Sequence, residues 1–267
     1  MNYIDQHMHT YFSTDSTEKF EAYLKLTDGK IITTEHLDLI SPTFNYEDRP
    51  LDLEKYNEVI DILNQEYDNR ILKGIEVGFS NRNWKRILEV LDKYEFDSVL
   101  LSLHYNDEYD YMDRTVDYDK TPSILIPEYL NNLITAVKTI GDRCQILTHF
   151  DYGFRISDVT VEDLKKYGED LLLELIDALI EKGMSLEVNT RSIYANGNLD
   201  LYEFFVPLYL KHGGTEITLG SDAHRAEDYK LNFDIMLTWL DSLGVDHVNQ
   251  YINQKAEKIL IRDLIKK

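Results

Sequence analysis

Cysteine is nearly missing from this chain, since Cys144 is the single one among 267 residues. One cysteine excludes an intramolecular disulfide and is typical of a protein from a reducing compartment. Proline and glycine number only 5 and 12, which argues against long disordered linkers. No apolar run reaches the ~20 residues of a membrane helix, and the N-terminus lacks the basic start and apolar stretch of a signal peptide. These absences predict a cytoplasmic globular protein.

Positive charge is scarce as well, because 28 lysines and arginines face 49 aspartates and glutamates, for a formal net charge of −21. An acidic surface repels nucleic acid phosphates and anionic membranes. The charge therefore predicts neither a nucleic acid nor a membrane partner, and it favours a small substrate that carries a positive group. The length is sufficient for a single α/β barrel.

Short β-rich runs alternate with amphipathic helical segments along the whole chain, and no break in composition divides it. Most of the runs are continuously apolar, as expected of strands that are covered on both faces. Seven such strands predict an α/β fold in one domain over residues 1–267, either a barrel or an open parallel sheet. The predicted strands are 2–9, 30–37, 71–79, 97–105, 145–150, 185–190 and 216–224, and the predicted helices include 51–68, 83–94, 161–183 and 226–244.

Two nucleotide-binding motifs are missing, since neither GxGxxG nor GxxxxGK[ST] occurs in the sequence. What the chain has instead is an unusual segment at 105–128, rich in Tyr and Asp and without a clear period. It follows the fourth predicted strand, where a barrel carries an active-site loop, and we interpret it as an insertion there. The alternative is an acidic surface loop without a further role.

Six of the 8 histidines fall at the carboxyl ends of predicted strands, the end at which parallel α/β folds build their sites. Glu76 ends the third strand, and Asp222 stands two residues before His224. Residues two apart on a strand share a face. A lone histidine at a strand end is usually a structural residue, but this many on one face predict a cluster of divalent metal ions. The six are His7, His9, His36, His104, His149 and His224, whereas His212 and His247 are interpreted as structural.

The ordered motifs DQHMHT, TTEHLD, GIEVG, LSLHY, LTHFD and GSDAH resemble those of the PHP (polymerase and histidinol phosphatase) superfamily. The similarity extends from His7 to His224, which is most of the chain. The resemblance implies a distorted, TIM-like (β/α)7 barrel. It also implies two or three divalent ions, Zn, Mn or Fe, at the carboxyl-terminal mouth of the strands.

The resemblance also implies which side chains hold these ions. Many members carry a further histidine shortly after the HxH pair, where this chain has Asp15. Asp15 is then either a replacement ligand or the N-cap of a following helix. Glu35 stands where many members have Asp, and a hydrogen bond to a ligand is one role for it. The implied sets are His7, His9, Glu76 and Asp222 for the first ion, Glu76, His104 and His149 for the second, and Asp15, His36 and His224 for the third.

Within the superfamily, the stand-alone length and the GSDAH ending are most similar to the histidinol-phosphate phosphatases of histidine biosynthesis. Their substrate carries an ammonium group and an imidazole beside its phosphate. The acidic pair Asp107 and Glu108 is the candidate receptor for that cation, together with Tyr105, Tyr109 and Tyr111.

Arginine forks suit the phosphate itself. Arg155 and Arg191 follow the fifth and sixth strands, so both are expected at the metal face, with the Ser192 hydroxyl beside them. Arg225 is a further candidate. The alternative for each arginine is a surface ion pair with one of the many acids.

The expected reaction is in-line attack on phosphorus by a hydroxide that bridges two metal ions. The sequence leaves the proton donor to the leaving alcohol open among a metal-held water, Asp222 and a metal-adjacent histidine, so Asp222 and His224 are the catalytic candidates. Another phosphoesterase of the superfamily, acting on nucleotides, phosphotyrosine or nucleic acid ends, is an alternative function. A non-catalytic metal-binding protein is another. An amidohydrolase-like barrel is disfavoured, since no lysine ends a middle strand. The oligomeric state is not predicted.

Overall fold

Six parallel strands lie side by side in chain order in the computed structural model, which describes residues 2–114 and 120–265. Both faces of this curled sheet are covered, so the strands are almost wholly buried, as continuous apolar runs predict. The strands are β1 (Ile31–Asp38), β2 (Ile71–Gly78), β3 (Ser98–Ser102), β4 (Ile146–Leu147), β5 (Ser185–Asn189) and β6 (Ile217–Gly220).

The segment before β1 closes the gap between the two edge strands of this sheet. The Thr34 amide of β1 donates to the Met8 carbonyl at 2.8 Å, and the His9 amide donates to the Ala223 carbonyl just after β6 at 2.8 Å. The arrangement is the distorted barrel that the sequence predicts. The predicted regular strand at 2–9 is wrong, since only an isolated bridge forms there.

The buried Asp5 carboxylate accepts backbone amides in this irregular segment. It accepts the amide of His7 at 3.3 Å and that of Ser221 at 2.9 Å, which are groups that a regular ladder would pair with carbonyls. Asp5 is therefore a structural residue at the junction of the first and last barrel segments.

Helices cover the outside of the sheet. The predicted helix at 161–183 is divided at Gly168, where a Cβ atom would lie 2.7 Å from Ile126. The predicted helix at 226–244 begins only at Phe233. The helices are α1 (Phe20–Leu24), α2 (Leu53–Glu66), α3 (Trp84–Lys93), α4 (Pro122–Ile140), α5 (Val161–Tyr167), α6 (Glu169–Lys182), α7 (Thr190–Tyr194), α8 (Leu199–Lys211), α9 (Phe233–Ser242) and α10 (Ile261–Ile265), with 3₁₀ turns at Pro42–Phe44, Gly141–Arg143, Tyr152–Phe154 and Ala226–Asp228.

The predicted insertion at 105–128 is partly helical, because α4 already begins at Pro122. Its residues 115–119 lie outside the described part of the chain. The first half turns back on the barrel, where the Tyr111 amide donates to the His104 carbonyl at 2.9 Å. The loop therefore begins directly beside the end of β3.

An antiparallel hairpin that the sequence analysis did not predict, β7 (His247–Ile252) with β8 (Lys255–Leu260), covers the amino ends of the strands. The Tyr251 hydroxyl lies 2.8 Å from the Ser185 hydroxyl at the start of β5, and the Gln254 amide donates to the Asp97 carbonyl just before β3. The hairpin leaves the carboxyl ends open. Within residues 2–114 and 120–265, none of the helices combines the length and the apolar composition that a membrane span requires.

Candidate metal centre and active site

The carboxyl ends of the strands bring the predicted metal ligands together, because parallel strands all end at one rim. His36 lies in β1, and Glu76 lies beside it in β2, at the same register of the sheet. His104, His149 and Asp222 follow β3, β4 and β6 and are all buried. Residues that are distant in sequence thus share one small volume.

Glu76 lies at the centre of the cluster. Its Oε1 atom lies 3.0 Å from Nε2 of His104 and 2.9 Å from Nε2 of His149. Its Oε2 atom lies 2.9 Å from Nδ1 of His36 and 3.4 Å from Nε2 of His7. Burial alone would raise the pKa of Glu76, but the surrounding imidazoles hold it well below its usual value. The carboxylate is therefore an anion with one oxygen turned to each side of the cluster.

Asp222 and Asp15 extend the cluster towards His224. The Asp222 Oδ1 atom lies 3.4 Å from Nε2 of His9. The Asp15 Oδ2 atom lies 3.3 Å from Nε2 of His224 and 3.5 Å from Nε2 of His36. Asp15 thus joins the two histidines with which the resemblance groups it. It does not cap a helix, since the residue before α1 is Lys19.

The donor chemistry of this cluster fits divalent metal ions. The Nε2 atoms of His7 and His9 face each other at 3.1 Å, so a metal ion between the two rings could accept a lone pair from each. Among the described residues, Oε2 of Glu76 and Nδ1 of His36 are buried without a hydrogen bond, although they lie 2.9 Å apart. Orphaned buried polar atoms of this kind are costly unless an ion satisfies them. Four donor groups have ligand atoms within 4.8 Å of one another: His7–His9–Glu76, His36–Glu76–His104, His7–His149–Asp222 and His9–His36–His224.

Burial also favours the neutral form of two of the imidazoles, those of His9 and His149. The pKa of His9 lies well below its usual value because the ring is buried and because His36 and His224 are close. The pKa of His149 is lowered by burial and by the nearby Arg155 guanidinium. A neutral imidazole is the form that binds a metal ion.

Buried acids behind the cluster orient several histidines. The Nδ1 atom of His7 lies 2.8 Å from Glu187, and Nδ1 of His104 lies 3.0 Å from Asp38. Such contacts fix the tautomer and turn the other ring nitrogen towards the metal side. Neither Asp38 nor Glu187 was predicted from the sequence. An acid inside an otherwise apolar strand was the available signal, because a buried carboxylate needs a partner.

Glu35 reaches His9 through a hydroxyl. It accepts from the Ser13 hydroxyl at 2.6 Å, and the Ser13 oxygen lies 3.2 Å from Nδ1 of His9. The Thr10 hydroxyl also donates to Glu35 at 2.7 Å. The contact of Glu35 with a metal-ligand candidate is thus indirect.

Two of the clustered residues have strained backbones. His149 has a φ of 21° and Asp222 a φ of 52°, in the left-handed region that non-glycine residues seldom adopt. Such strain persists where the surrounding structure demands it, commonly at functional sites. The Asp222 amide is fixed by the His7 carbonyl at 2.8 Å, so closure of the barrel itself holds this conformation.

Two arginines lie beside Asp222 at the rim. Arg155 donates to the Ser192 hydroxyl from Nε at 2.9 Å and lies 3.4 Å from Oδ2 of Asp222. Arg191 donates to the Asp222 carbonyl at 3.2 Å and lies 2.9 Å from Nδ1 of His224. Burial would lower the pKa of Arg155, but the neighbouring acids raise it, so the group stays charged. The predicted group of Arg155, Arg191 and Ser192 is therefore assembled next to the predicted ligands.

A cavity of about 200 Å³ opens above the cluster. Its wall includes residues that the sequence analysis did not select, and Arg49 is one of them. Arg49 donates to Asp15 at 2.8 Å and to Asp38 at 3.1 Å. The lining residues are Asp15, His36, Asp38, Arg49, His104, Asp110, Met112, His149, Tyr152, Arg155, Arg191, Asn196, Asp222 and His224.

The predicted cation receptor lies elsewhere in the loop. Glu108 is exposed, and neither it nor Asp107 lines the cavity above the cluster. The aromatic residues that accompany them turn inward: Tyr105 donates to the Leu39 carbonyl at 3.0 Å, and Tyr111 is buried. Of the loop acids within residues 105–114 and 120–128, it is Asp110 that lines this cavity.

The remaining candidates also have clear positions. Arg225 is exposed, forms an ion pair with Glu227, and lines a neighbouring cavity rather than the one above the cluster. His212 directly follows α8, His247 begins β7, and neither lines the cavity above the cluster. Both positions agree with their interpretation as structural residues.

The sequence of this chain matches that of a known protein family. Residues 5–191 match the PHP domain, which is more than half of the chain and includes most of the clustered residues. The chain belongs to the PHP domain family. The sequence-based recognition of this family is therefore confirmed.

Curated relatives agree with the match. The chain is 30% identical to a probable histidinol-phosphatase of Clostridium acetobutylicum, over 91% of this chain and 95% of that protein. It is 28% identical to the histidinol-phosphatase of Lactococcus lactis subsp. lactis, over 97% of each. These relatives bear out the predicted enzyme class within the family.

A solved structure agrees with the fold. The histidinol phosphate phosphatase of Lactococcus lactis subsp. lactis, determined with zinc, L-histidinol and phosphate, superposes with a TM-score of 0.83 at 26% identity. The match covers 96% of this chain and 98% of that one. The predicted distorted, TIM-like α/β barrel is confirmed.

Proposed function

We propose that this protein hydrolyses L-histidinol phosphate to L-histidinol and phosphate, a step of histidine biosynthesis that takes place in the cytoplasm. The observation that carries the proposal is the Glu76 carboxylate, which five imidazoles approach within 3.6 Å, beneath a rim that holds Arg155 and Arg191. A phosphomonoesterase needs a metal cluster and fixed cations side by side. The histidinol-phosphatase relatives support the choice of substrate.

Two or three divalent ions would be held by the clustered donors, and zinc is the ion in the related structure. Glu76 would be shared between sites, since each of its oxygens faces different imidazoles. Such ions supply Lewis-acid polarisation of the phosphate and of the attacking water at neutral pH. The ligand sets we propose are His7, His9, Glu76 and Asp222, then Glu76, His104 and His149, then Asp15, His36 and His224.

The arginines bind and orient the phosphate in this proposal. Arg155 is pre-positioned by Ser192 and Asp222, so little side-chain freedom is lost when it takes up an anion. Arg191 also lies beside Asp222, where it donates a hydrogen bond to the Asp222 carbonyl. Together they place phosphorus over the metal side of the cavity.

Hydrolysis forms a bond from water oxygen to phosphorus and breaks the bond from phosphorus to the alcohol oxygen. One proton of the water must be accepted, and the departing alkoxide must receive one. Asp222 and His224 line the cavity within 3.5 Å of each other and are our candidates for moving these protons. The guanidinium groups of Arg155 and Arg191 stabilise the negative charge of the phosphate product until it leaves the cavity.

The decisive experiment measures phosphate release from metal-reconstituted protein. Histidinol phosphate is compared with nucleoside monophosphates, phosphotyrosine and p-nitrophenyl phosphate. We expect a kcat/KM at least about tenfold higher for histidinol phosphate, a difference of about 1.4 kcal/mol in transition-state binding. Similar kcat/KM values for all these substrates would overturn the proposed substrate and indicate a general phosphatase of this family. Inactivity on every substrate would indicate a metal-binding protein without catalytic activity.

A matched pair of variants checks that the centre performs the reaction. Glu76→Gln removes the shared charge and should abolish both phosphate release and tight metal retention. Glu203→Gln, at an exposed position of α8, should leave both unchanged.

A further inference from the structure

Arg49 lies in the loop between β1 and α2, and its guanidinium group joins two acids of the metal centre. Its Nη2 atom lies 2.8 Å from Oδ1 of Asp15, and its Nη1 atom donates to Oδ2 of Asp38 at 3.1 Å. Asp15 precedes α1, whereas Asp38 ends β1. A single cation, which stays charged at any ordinary pH, thus connects two separate segments of the barrel rim.

Each of these acids turns its other oxygen to proposed metal ligands. Oδ2 of Asp15 lies 3.3 Å from Nε2 of His224 and 3.5 Å from Nε2 of His36. Oδ1 of Asp38 lies 3.0 Å from Nδ1 of His104. Because the guanidinium group holds one oxygen of each carboxylate, the direction of the remaining oxygen is fixed as well.

The guanidinium group is itself held rigidly. Its Nε atom donates to the Thr14 hydroxyl at 2.7 Å, so that each of its three nitrogens has a partner. The backbone amide of Arg49 donates to the Asp38 carbonyl at 2.8 Å, and the side chain is only 11% exposed. A planar fork suits this set of acceptors, whereas the single ammonium of a lysine does not.

Direct binding of phosphate is the competing role, since Arg49 also lines the cavity above the cluster. The two acids argue against it. A guanidinium group that lies within 3.1 Å of two carboxylates has its charge more than matched, and it attracts a further anion less than an unpaired one would. The contacts therefore favour a role towards the metal ligands.

We propose that Arg49 is a positioning residue that supports two metal sites at once, the one that includes Asp15 and the one that includes His104. This inference rests on the ligand sets of the proposed function. Arg49 acts through the two acids and contacts neither ion. Contacts that orient metal ligands in this way typically contribute about 10- to 100-fold in metal affinity.

The test is competition for zinc between the loaded full-length protein and a chelator. Arg49→Gln should raise the dissociation constants of two ions by about tenfold or more and leave that of the remaining ion within about twofold. Arg49→Lys keeps the charge but loses the fork, so both constants should rise by about threefold or more. Arg86→Gln is the matched control, because it removes the surface ion pair with Asp48 in the same loop, and it should change none of the constants.

Variants of the two acids assign each effect to its site. Asp15→Ala lacks one of the two supported sites, so adding Arg49→Gln should weaken only the ion at His104. Asp38→Asn already disturbs the His104 site, so adding Arg49→Gln should weaken mainly the ion at Asp15. Losses that simply add in both double variants would overturn the inference, because residues that act through one another are not additive.

Unchanged zinc affinity in Arg49→Gln would also overturn it, and a rise in the inhibition constant of inorganic phosphate in that protein would assign Arg49 to substrate binding instead. If the melting temperature shows that Arg49→Gln does not fold, Arg49→Lys replaces it, and wild-type zinc affinity in Arg49→Lys would then overturn the inference.

The proposed function has a separate readout. A wild-type protein that retains zinc but hydrolyses no phosphate ester would overturn the proposed activity and leave this inference standing. A wild-type protein that retains no zinc would overturn both.

Discussion

The Nδ1 atom of His7 lies 2.8 Å from Oε1 of Glu187, and both side chains are fully buried. The other oxygen of Glu187 accepts the backbone amide of His149 at 2.9 Å. One carboxylate therefore positions two proposed ligands that lie far apart in sequence. Burial alone would raise the pKa of Glu187, but His7 lowers it, so the acid is charged and its contact with the ring is strong.

Replacing Glu187 with glutamine should weaken metal binding while preserving the shape of the site. The neutral amide no longer fixes the His7 tautomer, and such outer contacts typically contribute about 10- to 100-fold in metal affinity. Competition with a chelator, read as zinc retained per chain, measures the effect. Glu203→Gln serves as the exposed control, and equal zinc retention in both variants would show that the His7–Glu187 contact does not support the metal.

Removal of the Asp15 carboxylate should cost the protein its third ion. Asp15 contacts both His36 and His224 through one oxygen and Arg49 through the other. Without it, two imidazoles remain for that ion, and we expect the metal content of Asp15→Ala to fall by about one ion per chain. Elemental analysis after dialysis measures this.

The control for this experiment is Asp28→Ala, an exposed residue in the loop after α1. His36→Ala provides the complementary variant and should lose the same ion. An unchanged metal content in both Asp15→Ala and His36→Ala would mean that neither residue is needed to hold an ion.

A methyl group at Gly153 should destabilise the protein and disturb the rim. A Cβ atom there would lie 2.3 Å from the ring of Tyr129, which is fully buried against Phe154. Overpacking of this kind costs about 1–3 kcal/mol, which urea denaturation of Gly153→Ala would measure. Gly29→Ala, whose nearest neighbour atom lies 3.4 Å away, should unfold like the wild type. If Gly153→Ala and Gly29→Ala both unfolded at the same urea concentration as the wild type, the Tyr129 ring would have to move freely to make room for the added methyl group.

Much of the metal cluster could be predicted because it depends on local pattern. Apolar runs mark the strands, and their ends mark the rim, so a histidine at a strand end already has a predicted position in space. The register of Glu76 beside His36 follows from this pattern. Asp38 and Glu187 were missed because a strand pattern shows only that an acid is buried, not which ring it faces.

Long-range contacts explain the other differences between the structure predicted from the sequence and the observed one. The segment at 2–9 has the composition of a strand, but Asp5 bonds to Ser221, far along the chain, and this contact prevents a regular ladder. The exposed position of Glu108, outside the cavity above the cluster, likewise depends on the packing of the loop. The β7–β8 hairpin turns through Asn253 and Gln254, both with positive φ, without the Asn-Gly or Asp-Gly signal that usually marks such a turn.

Shortening Arg155 to lysine should weaken phosphate binding more than it slows the reaction of bound substrate. The guanidinium fork bonds to Ser192 and lies near Asp222 at the same time, and a lysine ammonium cannot match that geometry. We expect KM for histidinol phosphate and the inhibition constant of inorganic phosphate to rise together, by about tenfold or more. Ser192→Ala, which removes only the anchor, should raise both by about threefold. Arg86→Lys, at an ion pair on the surface, should raise neither, and an Arg155→Lys protein with unchanged phosphate inhibition would show that this arginine pairs with Asp222 and does not bind the substrate.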